Sequence, residues 1–329
     1  MTLGSRETVR EGSGATLEDV GAVGEALAAT MNATIMGKPD VVETAITVLF
    51  AEGHLLIEDV PGVGKTMLAK TLARSIAASE RRIQFTPDLL PSDITGVSIY
   101  NQEEHHFEFR PGAIFANVVV GDEINRASPK AQSALLECME EQQVTVDGQT
   151  HPLPHPFIIM ATQNPVEMEG TYPLPEAQRD RFMARLSVGY PTGPAEMEML
   201  DHHGAASPLD DIEPVTDGGT VAEMIRVVRS VHASSAVRQY VVDIATATRH
   251  SSAIRLGASP RATLHLLRAA RARAALAGRD HVLPDDVQAL AAVVLGHRLL
   301  LGSEAQLSRR TPTQVVGEIL ERTRVPAPR

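Results

Sequence analysis

The segment Pro61–Met67 carries the residue types that bind phosphate groups. Its two glycines, Gly62 and Gly64, let backbone N–H groups come close to an anion, and Lys65 adds a positive charge. Thr66 supplies a hydroxyl that can bind Mg²⁺. Because an apolar run precedes the segment and a helical pattern follows it, the sequence predicts a phosphate-binding loop between a strand and a helix.

Polar groups that suit phosphate hydrolysis follow two further apolar runs. Asp122 and Glu123 come after Val118–Val120, and Asn164 comes after Phe157–Ala161. A first carboxylate can hold Mg²⁺, and a second can polarise a water that attacks the terminal phosphate. The amide of Asn164 could orient the same water. Since the carboxyl ends of parallel strands meet at one edge of a sheet, these groups predict a nucleotide-hydrolysing site.

The elements that position these groups alternate between strands and helices up to Pro191, as in a parallel sheet buried between helix layers. A helix is expected to begin at Ser128, and its apolar stripe includes Cys138, which is therefore expected in the core. Two polar excursions, Ser98–Phe109 and Val144–His151, predict hairpins. The expected strands are Leu55–Ile57, Ile83–Phe85, Val118–Val120, Phe157–Ala161 and Leu186–Val188.

The pattern changes after the last predicted strand. The segment up to residue 219 is rich in Pro, Gly, Asp and Ser, and predicts a linker, whereas the pattern from Thr220 onward is helical and predicts no strand. Helices are expected to begin at Ser259–Pro260 and at Pro284, with Leu264, Leu267 and Ala274 on one side of the first of these helices. The predicted organisation is a flexible tail (1–16), an α/β core (17–195), a linker (196–219) and a small all-helical domain (220–329).

The composition disfavours several classes of protein. A net charge of −11 argues against a general DNA-coating protein, and 3% aromatic residues without Trp argue against a surface that stacks single-stranded bases. Cys138 is the single cysteine, so an internal disulfide is excluded and a reducing, cytoplasmic location is predicted. Apolar runs fall short of the about 20 residues of a membrane span, and Met1–Gly14 lacks the apolar core of a secretory signal.

The phosphate-binding segment, the Asp122–Glu123 pair, Asn164 and the Asp-Arg-Phe run at 180–182 together make the chain resemble the MoxR family of AAA+ ATPases. The resemblance covers the chain from about Thr34 onward. It implies an AAA+ P-loop domain with a parallel sheet in an αβα sandwich, followed by a small all-α lid domain. The segments that carry it are Ile57–Thr66, Phe109–Asn117, Asp122–Ala127, Ala134–Glu137 and Tyr172–Gln178.

The resemblance also implies roles for particular residues, with ATP and Mg²⁺ as cofactors. Arg181 matches the arginine finger given to a neighbouring subunit, although Arg179 beside it could share or replace that role. Asp59 departs from the general pattern of phosphate-binding loops, which has glycine at this position. The implied catalytic residues are Lys65, Glu123, Asn164 (sensor 1), Arg181 and Arg261 (sensor 2, in the lid), and the metal ligands are Thr66 and Asp122. The implied nucleotide contacts are Ile35, Met36, Gly37, Pro61, Gly62, Val63, Gly64, Lys65, Thr66 and Met67.

The function implied by the resemblance is chaperone-like. The chain would hydrolyse ATP as a homo-oligomer, in a hexameric ring, to remodel or activate client proteins or to assist their maturation or cofactor insertion. One expected client class carries a von Willebrand factor A domain. A magnesium-chelatase-like ATPase subunit stays open as an alternative. A nucleic-acid motor related to MCM is disfavoured, because the predicted hairpin tips, at Gln102–Glu104 and Asp147, lack basic residues.

Overall fold

The computed structural model describes residues 14–164, 172–202 and 209–326. Most of the predicted N-terminal tail and residues 203–208 of the predicted linker lie outside these ranges. The helices are α1 Leu17–Thr34, α2 Pro39–Phe50, α3 Lys65–Ser75, α4 Pro91–Thr95, α5 Pro129–Glu141, α6 Glu176–Arg179, α7 Gly193–His202, α8 Gly218–Ser230, α9 Ser235–His250, α10 Pro260–Leu276, α11 Pro284–Leu295, α12 Ser303–Leu307 and α13 Pro312–Arg322, with 3₁₀ turns at Ile124–Arg126 and Gly296–Arg298. The strands are β1 Leu55–Glu58, β2 Glu80–Gln84, β3 Gly96–Asn101, β4 His106–Pro111, β5 Val118–Asp122, β6 Gln143–Val146, β7 Gln149–Pro152, β8 Ile158–Gln163, β9 Ala184–Leu186, β10 Ile254–Leu256 and β11 Leu300–Leu301.

Within the described ranges, parallel strands form a five-stranded sheet in the order β2–β5–β8–β1–β9. The central strands are buried on both faces, as their continuous apolar runs predict. β2 lies at the edge, so Arg81 and Arg82 reach the surface although Ile83 is buried. Each of the five predicted strands overlaps an observed strand, but with shifted bounds. β2 begins three residues before the predicted Ile83. β9 shares only Leu186 with its prediction and begins two residues earlier, because Met183 and Ala184 already donate backbone hydrogen bonds to His54.

Local sequence signals set the boundaries of several helices. Ser128 caps α5 by accepting a hydrogen bond from Ala131 N at 3.3 Å, and Pro129 occupies the first turn. Cys138 on this helix is 2% exposed, and burial raises the pKa of its thiol to about 12. The predicted core position of Cys138 is therefore confirmed.

Both predicted hairpins are confirmed. β3 pairs with β4, and β6 pairs with β7 across a turn at Asp147–Gly148. The two hairpins touch through Phe109 and His151, whose rings stack with centroids 3.8 Å apart. Further along the first hairpin, the rings of Tyr100 and Phe107 pack edge to face. Tyr100 is 47% exposed and Phe107 is 70% exposed. The first hairpin thus presents an aromatic pair to solvent.

The C-terminal part is a helical domain with three differences from the prediction. A short antiparallel pair, β10 with β11, was not predicted, because runs of two or three residues give no periodic signal. Leu264 is 62% exposed, since α10 buries its alanine-rich face instead. Helix α7 covers the first residues of the predicted linker. In the described residues no helix is long and apolar enough to cross a membrane.

Candidate functional site

The loop between β1 and α3 forms an open cradle at the carboxyl edge of the sheet. Gly62 and Gly64 have φ angles of +85° and +89°, which favour glycine, and a Cβ atom at either would meet nothing within 4 Å. Helix α3 begins at Lys65, directly after the loop, so the N-terminus of this helix adjoins the cradle. The Nζ atom of Lys65 donates to the carbonyl of Asp59 at 2.7 Å. This backbone suits an anion, because N–H groups and a helix N-terminus attract negative charge.

Asp59 fastens the start of this loop to the edge of the sheet. Its Oδ2 atom accepts hydrogen bonds from Gly189 N at 2.5 Å and Ser187 Oγ at 2.9 Å, and its Oδ1 atom accepts one from Val60 N at 2.8 Å. Burial raises the pKa of Asp59, but these hydrogen bonds and the charge of Lys65 together hold the pKa below its usual value. At the position where glycine is usual, an ionised side chain therefore anchors the loop.

Thr66 and Asp122 bring two oxygen ligands together beside the cradle. Oγ1 of Thr66 lies 3.4 Å from Oδ2 of Asp122, and the same oxygen accepts a hydrogen bond from Arg82 Nε at 2.6 Å. Thr162 Oγ1 donates to Oδ1 of Asp122 at 3.1 Å. A hydroxyl and a carboxylate held in this way are the type of ligand that Mg²⁺ prefers.

Glu123 directs its carboxylate towards the same edge from an unusual backbone conformation. Its φ of 59° lies in the left-handed region, which costs a non-glycine residue about 1–3 kcal/mol. The hydroxyl of Thr162 accepts a hydrogen bond from Glu123 N at 3.0 Å. Oε2 of Glu123 accepts hydrogen bonds from Gln84 Nε2 and Arg126 Nη1, each at 3.0 Å. Both the backbone and the carboxylate of Glu123 are thus fixed by neighbouring elements.

The remaining residues predicted for this edge also lie there. Asn164 follows the last residue of β8 and is 5% exposed, and Asn125 Nδ2 contacts its carbonyl at 3.4 Å. The segment Ile35–Gly37 precedes Lys38, whose Nζ donates to Tyr190 O at 2.8 Å, one residue beyond the glycine that anchors the loop. The predicted adenine-side segment therefore borders the start of the phosphate-binding loop.

Arg181 and Arg261 lie together at the opposite edge of the sheet. Nε of Arg181 is 3.3 Å from Oε2 of Glu140, and Nη2 of Arg261 contacts Oε1 of the same carboxylate. The loop that carries Arg181 joins the amino end of β1, where Met183 N donates to His54 O at 2.8 Å. Both arginines line a cavity of about 310 Å³. The structure thus brings together two residues that are 80 positions apart in the sequence.

The sheet separates these arginines from the phosphate-binding loop of the same chain. Five residue steps along β1 lead from His54 to Asp59, and each step of a strand rises about 3.3 Å, so the two edges lie about 16 Å apart. Arg181 is held at the amino edge by its own loop and by Glu140. The structure therefore divides the predicted site into two halves that do not meet within one chain.

Comparisons with known proteins identify two matching family models and several similar proteins. Residues 54–184 match the model of the ATPase family associated with various cellular activities (AAA), and residues 246–319 match the model of the AAA lid domain. YeaC of Bacillus subtilis is 50% identical over 299 residues, which cover 91% of this chain and 93% of YeaC. Chaperone MoxR1 of Mycobacterium tuberculosis is 42% identical, covering 89% of this chain and 79% of MoxR1.

The chain belongs to the MoxR family of AAA+ ATPases. A crystal structure of a Cytophaga hutchinsonii protein has the same fold, with a TM-score of 0.86 and 36% identity over 94% of this chain and 97% of that one. Membership of the AAA+ family implies that the chain binds a nucleotide. The fold class predicted from the sequence, an AAA+ core followed by a lid, is confirmed.

Several residues of this MoxR-family site were not predicted from the sequence. Arg82 and Gln84 alternate along β2; Arg82 contacts Asp122 at the end of the neighbouring strand β5, and Gln84 contacts Glu123, the next residue. Thr162 precedes Asn164 by two residues near the end of β8, so the alternation of side chains along a strand could have indicated that both lie on the same face of the sheet. Glu140 gives no signal in the sequence, because its importance depends on two arginines that come from distant segments.

Proposed function

We propose that this chain hydrolyses ATP, with Mg²⁺ held by Thr66 and Asp122. The donors fit this ion, because a hydroxyl and a carboxylate oxygen lie 3.4 Å apart beside the glycine cradle. When bound, Mg²⁺ would neutralise charge on the phosphates. Backbone N–H groups around Gly62 and Gly64 would bind the phosphate oxygens, with Lys65 as an added positive charge. The Ile35–Gly37 segment would contact the adenine side.

Glu123 is the general base in this proposal. Its carboxylate is held by Gln84 and Arg126 at the edge where the cradle opens, so it is placed to accept a proton from an attacking water. Asn164 would orient that water from the end of the next strand. These residues supply positioning and charge, which phosphoryl transfer requires more than covalent help.

The observation that carries the proposal is the division of the site into two halves. Arg181 and Arg261 converge on Glu140 at one edge of the sheet, about 16 Å from the other edge, where the cradle lies. We infer that they serve the nucleotide of a second copy of the chain. A head-to-tail contact of this kind generates a closed ring when the rotation closes, and the family resemblance favours six copies in the cytoplasm.

ATP hydrolysis in this ring would remodel client proteins. The exposed Tyr100–Phe107 pair supports this proposal, because a solvent-exposed aromatic pair on a hairpin can bind apolar segments of another polypeptide. Assistance in maturation or cofactor insertion, and clients with a von Willebrand factor A domain, rest on the family resemblance alone.

The hydrolysis test measures ATP turnover per subunit across a dilution series. We expect specific activity to rise with protein concentration, because the site is completed by a second copy. Glu123→Gln should lower kcat about 10²–10⁴-fold while leaving ATP affinity nearly unchanged. Arg181→Gln should lower kcat about 10³–10⁵-fold, which is the range for a finger supplied by a neighbour. Arg310→Gln, at the lid surface, is the matched control.

Mixing the two inactive variants gives the decisive result. An Arg181→Gln subunit keeps an intact cradle and base, and a Glu123→Gln subunit keeps an intact finger. A randomly mixed ring should recover up to about a quarter of the wild-type rate, because half of the sites have the base and half of those face an intact finger. Absence of any recovery in rings shown to contain both variants would contradict a finger acting between subunits.

A further inference from the structure

Arg298 is a buried arginine that holds the loop carrying Arg181. Its side chain is 2% exposed, and its Nη2 atom lies 3.0 Å from Asp180 O and 2.6 Å from Phe182 O, the carbonyls on either side of Arg181. Its Nη1 atom donates to Met183 O at 3.2 Å. One guanidinium from the lid thus binds three carbonyls of a four-residue loop in the AAA+ core.

The carboxylate of Asp180 links this loop to the helix that carries Arg261. Oδ1 accepts from Arg298 Nε at 2.9 Å, and Ser259 Oγ donates to the carboxylate at 2.8 Å. Nη1 of Arg261 lies 3.6 Å from Oδ2. Ser259 caps α10, so the start of this helix, the loop of Arg181 and the turn of Arg298 form one hydrogen-bonded unit.

Two histidines complete the unit in their neutral form. Nδ1 of His265 lies 2.7 Å from Arg298 Nη2, and because arginine only donates, this nitrogen must carry the lone pair. Burial and then the charge of Arg298 lower the pKa of His265 to about 2, which keeps the ring neutral. Nε2 of His297 contacts Phe182 O at 3.1 Å, so the residue next to Arg298 holds the same loop.

Burying a charged side chain at this position costs desolvation free energy that a purely structural role would not require. Removing an ion pair from water costs several kcal/mol per ion, and apolar residues of similar volume often stabilise a core equally well. What a guanidinium adds is a fixed fork of donors, which sets the orientation of the carbonyls that it binds. In this protein those carbonyls flank Arg181.

We propose that Arg298 and Asp180 form a positioning pair that holds Arg181 and Arg261 as one rigid unit directed at the nucleotide of the neighbouring subunit. The inference rests on the proposed role of Arg181 as a finger between subunits. It goes further, because the finger and the lid residue then move together. A subunit whose lid shifts also shifts both arginines relative to its neighbour's phosphate.

The test compares Arg298→Gln, Arg298→Lys and Asp180→Asn with wild type and with the control Arg310→Gln. A misplacement of about 1 Å at a reacting group can cost about 10²-fold, so Arg298→Gln and Asp180→Asn should lower kcat about 10²-fold. The affinity for ATP should change less than about twofold, since the cradle lies at the other edge of the sheet. Arg298→Lys keeps the charge without the fork and should recover only part of kcat.

Mixing with Glu123→Gln subunits distinguishes positioning from a folding defect. An Arg298→Gln subunit has an intact cradle and base, so a neighbour with a correctly held finger should restore its turnover, as for Arg181→Gln. Recovery to a similar fraction for both variants supports the proposal. Wild-type kcat in Arg298→Gln, or recovery with Arg181→Gln but none with Arg298→Gln, overturns it. If Arg181→Gln itself hydrolyses ATP normally, the proposed role of Arg181 as a finger between subunits fails instead.

Discussion

The stability of this protein should fall steeply when the pH is lowered from 7.5 to 5.5, because His54, His265 and His297 must stay neutral in the folded state. His54 lies between β1, β8 and α5, where its Nδ1 accepts from Ile159 N at 3.0 Å and its Nε2 donates to Met139 O at 3.1 Å. Both ring nitrogens are therefore used by the neutral form. Protonation would place an N–H group at Nδ1 against another donor.

The magnitude follows from the pKa values in the folded and unfolded states. Burial lowers the pKa of His54 from 6.5 to about 4, and burial with the charge of Arg298 lowers the pKa of His265 to about 2. Between these values and 6.5 the unfolded chain binds more protons, so the free energy of unfolding rises with pH in this window and falls on acidification. His54 and His265 should each contribute about 1.3 kcal/mol between pH 7.5 and 5.5, or about 2.6 kcal/mol together. Burial also lowers the pKa of His297 well below 6.5, so this residue adds to the loss of stability in the same direction.

Urea unfolding followed by circular dichroism at both pH values tests this expectation. His54→Gln keeps an acceptor and a donor but cannot titrate, so it should reduce the pH-dependent loss by about 1.3 kcal/mol. His265→Gln should reduce it by a similar amount, and the exposed His250→Gln serves as the matched control. The reasoning is refuted if both buried variants keep the full wild-type difference between the two pH values.

Three further outcomes are expected. Asp59→Asn removes a charged acceptor of three hydrogen bonds, so urea unfolding at pH 7 should show a loss of about 1.5–3 kcal/mol, and a loss below about 0.5 kcal/mol would contradict the anchoring role. Thr162→Val leaves both the backbone N–H of Glu123 and Oδ1 of Asp122 without this partner, so kcat should fall about 10- to 100-fold, and unchanged turnover would show that both contacts are dispensable. Cys138 should react with a thiol reagent at pH 8 only after unfolding, because burial raises its pKa to about 12, and rapid labelling of the native protein would contradict its core position.

Much of the fold could be predicted because its signals are local. The five strands are short apolar runs, and helices α5 and α10 begin at Ser-Pro pairs whose serines accept the capping hydrogen bonds. Leu264 was grouped with Leu267 and Ala274 on one side of α10, yet Leu264 is exposed whereas Ala274 is buried. An alanine-rich helix such as α10 has too little contrast between its faces to show which one is buried.

The sequence by itself predicted the chemistry of the half of the candidate site that contains the cradle. Glycines, Lys65 and Thr66 lie within one short segment, and Asp122 and Glu123 follow one apolar run, so residue types at close spacing were sufficient for that prediction. Only the tertiary structure decided that Arg181 and Arg261 share Glu140 at the far edge of the sheet. It also decided that Arg298, 118 residues from Asp180, holds that loop. Such contacts depend on how the lid packs against the core, and no local pattern encodes a distance between segments that meet only after folding.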